Sequence, residues 1–253
     1  MILDVETTGL DHEHDAVIEL AMVRFAYSQD DAVLGVIDTF QSFSDPGEPI
    51  SPEITAITGI TNAMVQGCTL DLAAVRTFLG GSVLVIAHNA AFDRRFAERL
   101  CEDFMHKPWA CCMCEPPWAD EGYEGRSLGV LALQAGFFYD RHRALNDCMA
   151  ALELLARPLP RSGRTGLAAM LETTRVPVWR LWAHTPYELK ERLKARGYRW
   201  SDGASGAPRA WYVDVVDDQL EDELALLHGE LDVAEEALLR RRLTASERYS
   251  ARV

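Results

Sequence analysis

Asp4 and Glu6 stand two residues apart in the opening run ILDVE. Apolar and acidic side chains alternate there as in a strand, and residues i and i+2 of a strand leave the same face. Two like charges held that close are costly unless a cation neutralises them. An all-oxygen set of this kind suits Mg²⁺ or Mn²⁺. Asp93 follows the apolar run 83–87 and the residues His88-Asn89-Ala90-Ala91-Phe92. A buried strand should give way to a helix there, and the carboxyl ends of such strands carry functional groups in α/β enzymes. His142 and Asp147 are the third element. On one helix they would diverge by about 140°, so they converge if His142 lies in the loop ahead of the helix and Asp147 on its first or second turn.

Each residue also has an ordinary structural use. A D-x-E pair is common, Asp93 would stabilise the first turn of a helix, and a lone histidine is usually a surface residue. The combination carries the inference. Four carboxylates and one imidazole supply what two-metal phosphodiester hydrolysis requires, with two ions roughly 3.5–4 Å apart at the phosphate and His142 accepting a proton near neutral pH.

The elements that must position these groups are legible in outline. Strands are expected over 2–6, 16–25 and 35–43, followed by irregular structure imposed by Pro46, Gly47, Pro49 and Pro52. A helix over 70–79 ends at Gly80-Gly81, and further helices are expected over 90–101, 128–136 and 144–155. Strands first and strand–helix alternation afterwards give an α/β layer architecture for residues 1–160. Residues 161–176 read as a linker. Residues 177–253 read as a small α+β module, helix–strand–turn–strand–helix over 177–230. Its first helix spans 186–195 with Thr185 as cap, its second strand spans 210–216, and an acidic terminal helix runs over 218–243.

Of the 253 residues, 48% are hydrophobic and 25% charged, ordinary for a globular chain with a sizeable core. The formal net charge of −14 is unevenly spread. Residues 1–160 hold 10 Lys/Arg against 24 Asp/Glu, residues 161–210 hold 10 against 4, and residues 211–253 hold 5 against 11. Acidic residues that bind metal do not exclude an anionic substrate, and the basic middle segment is the natural backbone-binding surface. Cys111, Cys112 and Cys114 lack paired zinc-site spacing, and Cys68, Cys101 and Cys148 read as small core fillers. The run MILDVETTGL carries neither a basic leader nor a long apolar stretch, which points away from a membrane and toward the cytoplasm.

Three segments, LDVETTGL, AHNAAFDRRF and HRALNDCMA, occur in this order. They resemble the motifs of the DEDDh subclass of DnaQ-like 3′–5′ exonucleases, relatives of the proofreading epsilon subunit of bacterial DNA polymerase III. ISPEITAITGIT at 50–61 is similar to the segment between the first two motifs. The resemblance covers residues 1 to about 157, and only Ile2 and Leu3 separate Met1 from Asp4, a shorter lead than many relatives have. It implies an RNase-H-like fold with a five-stranded mixed sheet and two divalent ions held by Asp4, Glu6, Asp93 and Asp147. It also implies His142 as general base, and release of nucleoside 5′-monophosphates from single-stranded 3′ ends. Thr7, Thr8 and Leu10 match positions that line the terminal-nucleotide pocket in relatives, with Leu10 wedged against the last base. Asn89 and Phe92 are further candidates for that pocket.

In the second half, Tyr187, Tyr198, Trp200, Trp211 and Tyr212 interleave with Lys190, Arg192, Lys194, Arg196, Arg199 and Arg209. Aromatic platforms beside positive charge suit a single strand, while a unit this small also needs rings for its core. Nucleic-acid grip, protein docking and scaffolding are all open to it. The leading expectation is therefore an exonuclease on single-stranded DNA, in repair or proofreading. The alternatives are an RNA-trimming exoribonuclease and a nucleic-acid-binding or polymerase-tethering protein.

Overall fold

Apolar alternation at the start of the chain builds a hairpin meander. In the computed structural model, which describes residues 1–203 and 206–252, β1 (Ile2–Thr7) pairs antiparallel with β2 (Val17–Tyr27), and β2 with β3 (Val33–Phe43). The chain then forms α1 (Pro52–Thr58), α2 (Asn62–Val65) and α3 (Leu72–Gly80). The expected irregular stretch is thus partly helical. Pro52 occupies the first turn of α1, where a missing N–H costs nothing, and Ser51 Oγ caps the Ile54 N–H. Next come β4 (Val85–Ala87), α4 (Ala90–Leu100), β5 (Trp109–Cys111), α5 (Leu128–Gln134), α6 (Ala144–Ala156) and α7 (Gly166–Arg175). The sheet order is β3-β2-β1-β4-β5, with β4 parallel to both β1 and β5. This is the expected mixed five-stranded sheet.

Two layers of side chains hold it. Ile2, Ala21 and Val23 on one face cluster with Ala144, Cys148, Ala151, Leu152 and Leu155 of α6. Leu3, Leu20 and Met22, of opposite parity, are fully buried on the other.

The chain divides into two units, Met1–Thr173 and Thr174–Val253. The stretch 161–176 is not an open linker. Within it α7 buries Leu167, Ala169, Met170 and Leu171 in the core of the first unit.

The second unit is a four-stranded antiparallel sheet of order β7-β8-β6-β9, built from β6 (Val178–Ala183), β7 (Arg199–Trp200), β8 (Trp211–Val216) and β9 (Leu238–Leu243). Helices α8 (Lys190–Ala195) and α9 (Leu220–Gly229) supply Leu193, Leu220, Leu224 and Leu227, which cluster with Leu181, Ala183 and Trp211. Three expectations change. The module opens on a strand, not a helix. Thr185 does not cap a helix, since its Oγ1 is buried without a partner and a 3-10 turn (Tyr187–Leu189) precedes α8. The terminal helix stops at Gly229, Asp232 adopts a left-handed φ of 52°, and LLRRRL becomes an edge strand on β6. Leu and Arg favour helices, but tertiary pairing overrides that preference, and arginines are well placed on a sheet edge. In the loop 201–208, Ala204 and Ser205 lie outside the described residues. Among the described residues, no helix is long and apolar enough to cross a membrane.

Candidate active site

Asp4 and Glu6 leave the same face of β1 as Ile2, toward α6. Opposite Glu6 on β2 stands Glu19, and the register slips between Glu6 and Thr7. Such a bulge breaks the alternation at the strand end and re-aims the side chains beyond it. One carboxylate oxygen from each of Asp4, Glu6 and Asp147 falls in a group whose members all lie within 4.8 Å of one another. Asp93 is not part of this threefold group. It sits in the first turn of α4, 2% exposed, and its Oδ1 accepts the Val5 N–H at 3.3 Å. Asn89, at the head of that helix, is held at a left-handed φ of 93°.

His142 lies where its spacing to Asp147 requires, in the exposed loop immediately before α6, with a left-handed φ of 64°. Positive φ at Asn89 and His142 marks strained backbone on both sides of the site. Asp147 is fixed from two sides: Tyr139 Oη donates to Oδ1 at 2.8 Å and the Arg143 N–H to Oδ2 at 3.1 Å.

The electrostatics are those of a site with unbalanced charge. Burial pushes the Asp4 carboxyl well above its usual range, and Asp93, Asp147, Glu6 and Glu19 push it further. Burial, then repulsion from Asp147 and Glu19, raises Glu6 to about 8 against the opposing pull of Arg143. Asp93 is raised by burial despite its hydrogen bond from Val5. Asp147 is raised by burial too, opposed by Tyr139, Arg143 and His142. No salt bridge to any of the four exists among the described residues. Buried carboxylates without a cation are the condition a divalent ion relieves, and an all-oxygen set fits a hard ion.

The spacing arguments missed Glu19. It is wholly buried, and its Oε1 accepts from Arg143 Nη2 (3.1 Å) and Gln41 Nε2 (2.6 Å), while its Oε2 accepts from Arg143 Nε (3.3 Å) and the Ala144 N–H (3.1 Å). It ties the start of α6, and with it the segment between His142 and Asp147, to β2. The available signal was one acid inside the apolar run VIELAMV. His88 was missed as well. Its Nε2 donates to the Arg126 carbonyl at 2.8 Å, and its Nδ1 accepts from Cys112 Sγ at 3.1 Å. Burial lowers its pKa to about 4, so the ring is neutral and braces the 124–127 loop.

Leu10, Asn89 and Phe92 line one open groove, with Leu10 86% exposed at its lip. Thr7 and Thr8 do not line it. Thr7 Oγ1 donates to the Gly9 carbonyl at 2.6 Å, and Thr8 Oγ1 donates to Asp15 at 3.1 Å and accepts the Ala16 N–H. Asp15 folds over Gly9 so closely that a Cβ there would lie 2.4 Å from its carboxylate, so a larger residue at this turn would require the Asp15 side chain to move.

The PolC-type DNA polymerase III of Clostridium perfringens (strain 13 / Type A) is 34% identical over 162 residues, covering 61% of this chain and 11% of that protein. The PolC-type enzyme of Caldanaerobacter subterraneus subsp. tengcongensis is 30% identical over 183 residues, 70% of this chain and 13% of that protein. The matched stretch thus spans only about a tenth of the length of either relative. The nuclease domain of 3′hExo, a DEDDh family member bound to rAMP, shares the fold at a TM-score of 0.51 and 19% identity, over 65% of this chain and 92% of that domain. Residues 1–155, the whole segment that carries the carboxylates and His142, match the RNase_T family, described as Exonuclease, and the chain belongs to that family.

Proposed function

We propose that this protein is a divalent-metal-dependent 3′–5′ exonuclease that shortens single-stranded DNA and releases nucleoside 5′-monophosphates. The observation that carries the reading is the convergence of Asp4, Glu6 and Asp147 oxygens within 4.8 Å, beside Asp93, with no salt bridge to any of them among the described residues. These four residues would hold two ions, Mg²⁺ or Mn²⁺, which when bound supply activation of the attacking water and stabilisation of the leaving 3′ oxygen. His142, exposed in the loop ahead of α6, accepts the proton of that water as general base. Leu10, Asn89 and Phe92 receive the terminal nucleotide, and Thr7 and Thr8 hold the turn that presents Leu10. Glu19 and Arg143 keep α6, and so Asp147, in position. The polymerase relatives favour DNA as the polymer and suit a role in proofreading or repair. Docking of a protein partner through the second unit fits the same setting.

The test is cleavage of 3′- and 5′-labelled single-stranded DNA and matching RNA with Mg²⁺ or Mn²⁺, alongside His142→Ala. Stepwise shortening of DNA from the 3′ end, lost on chelation and in the variant, is the expected result. Preference for RNA would reassign the polymer. No metal-dependent shortening of either would overturn the reading in favour of binding or tethering.

A further inference from the structure

Helix α4 works in two directions. Asp93 turns toward β1, while Asn89, Ala91, Phe92, Arg95 and Phe96 line a groove of about 210 Å³ whose far wall is Leu10 and His12. That wall is fixed, because Arg99 donates to the His12 and Asp15 carbonyls and Asp15 accepts the Asp11 N–H at 2.8 Å. The Phe92 and Phe96 rings pack at 4.9 Å between centroids, and His12 meets Phe96 edge-on at 6.5 Å.

Arg95 is the unusual member. Its Nε is buried with no hydrogen-bond partner, and no ion pair to it exists among the described residues. Its neighbours on the same helix are all satisfied: Arg94 pairs with Glu98 at 2.7 Å, and Arg99 holds two carbonyls. Arg24 also has a buried Nε without a partner, but its Nη2 pairs with Asp38 at 3.0 Å; Arg95 combines the unpartnered Nε with no ion pair among the described residues. A buried donor without an acceptor is unfavourable until an acceptor arrives. The planar fork of guanidinium donors matches two oxygens of a phosphodiester.

We propose that Arg95 is a backbone-phosphate-binding residue that holds the substrate strand at a linkage upstream of the scissile bond, in the groove between α4 and residues 10–12. The inference rests on the exonuclease reading and deepens it. Helix geometry excludes the scissile phosphate itself, since residues 93 and 95 point roughly 160° apart around α4. Phe92 lies between them, so its ring would part the terminal nucleotide, on the Asn89 side, from the upstream strand that reaches Arg95.

The test compares wild type, Arg95→Ala and Arg95→Lys on three substrates. These are an oligothymidylate, the same oligomer with one neutral methylphosphonate placed at each linkage in turn, and the p-nitrophenyl ester of thymidine 5′-monophosphate, which has no upstream linkage. Arg95→Ala should lower kcat/KM on the oligomer about tenfold more than on the ester, mainly through KM. Its salt slope should fall by about one, and lysine should restore part of the loss. One methylphosphonate should impair wild type and leave Arg95→Ala no worse than before. Equal losses on oligomer and ester, or no linkage that couples to Arg95, would overturn the proposal. Should wild type hydrolyse neither substrate, the exonuclease reading fails separately. Fluorescence anisotropy of a labelled oligothymidylate then decides the subsite, and an Arg95→Ala Kd equal to wild type overturns it.

Discussion

In the first unit, Asp4, Glu6, Asp93 and Asp147 crowd around one strand end with no salt bridge among the described residues. In the second unit nearly the opposite holds. Arg180 forms a two-pronged pair with Asp214 at 2.6 and 2.8 Å, Arg199 reaches the same carboxylate at 3.5 Å, and Arg196 pairs with Glu223 at 2.6 Å. Lys194 lies 3.7 Å from Glu191. Composition pointed to the basic segment 161–210, most of which lies in the second unit, as a backbone-binding surface. Pairing reverses the weight: cations that already meet carboxylates hold the small sheet together, whereas carboxylates left uncompensated are poised for a ligand of opposite charge. Net charge describes a segment, and the local balance of partners describes a site.

The contrast is most exposed at the carboxylates. Asp4→Ala or Asp93→Ala should abolish metal-dependent cleavage in a gel assay, yet raise the melting temperature in EDTA by removing one repelling charge. Activity at wild-type levels in either variant would end the assignment. Next in size, His142→Ala should lower kcat by about 10²–10⁴-fold without weakening Mn²⁺ binding, since the imidazole is not among the proposed ligands. Glu19→Gln should cost about 10–100-fold in activity or metal affinity, because Arg143 and the Ala144 N–H lose their anchor; unchanged kinetics would show that α6 is fixed by its apolar packing alone.

Smaller effects probe the same difference. Glu6 has its carboxyl raised to about 8 in the folded chain against an ordinary value of 4.5. Between those values the folded state binds more protons than the unfolded one, so stability must fall as pH rises through that window. In EDTA the melting temperature should therefore drop from pH 5 toward pH 8, and saturating Mg²⁺ or Mn²⁺ should flatten the slope. A rising curve would contradict the repulsion. Least of all, Lys190→Ala combined with Lys194→Ala should leave the denaturation midpoint of the second unit nearly unchanged in a denaturant titration, because both ammonium groups meet Glu191 in open solvent.

Much of the site was legible because its residues are announced locally. Asp4 and Glu6 need only strand parity, Asp93 only a strand end, and His142 with Asp147 only a loop ahead of a helix. Glu19 was not legible, since one acid in VIELAMV acquires meaning only through its register opposite Glu6 and its reach to Ala144. The same limit explains the second unit. LLRRRL favours a helix in isolation and becomes β9 only because β6 offers an open edge. Helix α7 hid in a stretch that begins with Arg161, Ser162, Gly163 and Arg164, although its Leu167, Met170 and Leu171 carry a core-facing stripe. Arg95 escaped notice for a further reason: a missing partner cannot be read from sequence.

Calorimetric titration of the metal-free protein with Mn²⁺ near pH 7, repeated in buffers of different ionisation enthalpy, asks the decisive question. Saturable binding of two ions with proton release, reduced in Asp4→Asn and Asp147→Asn, is the expected result. Absence of binding, or identical binding in those variants, would contradict a metal site built from these uncompensated carboxylates.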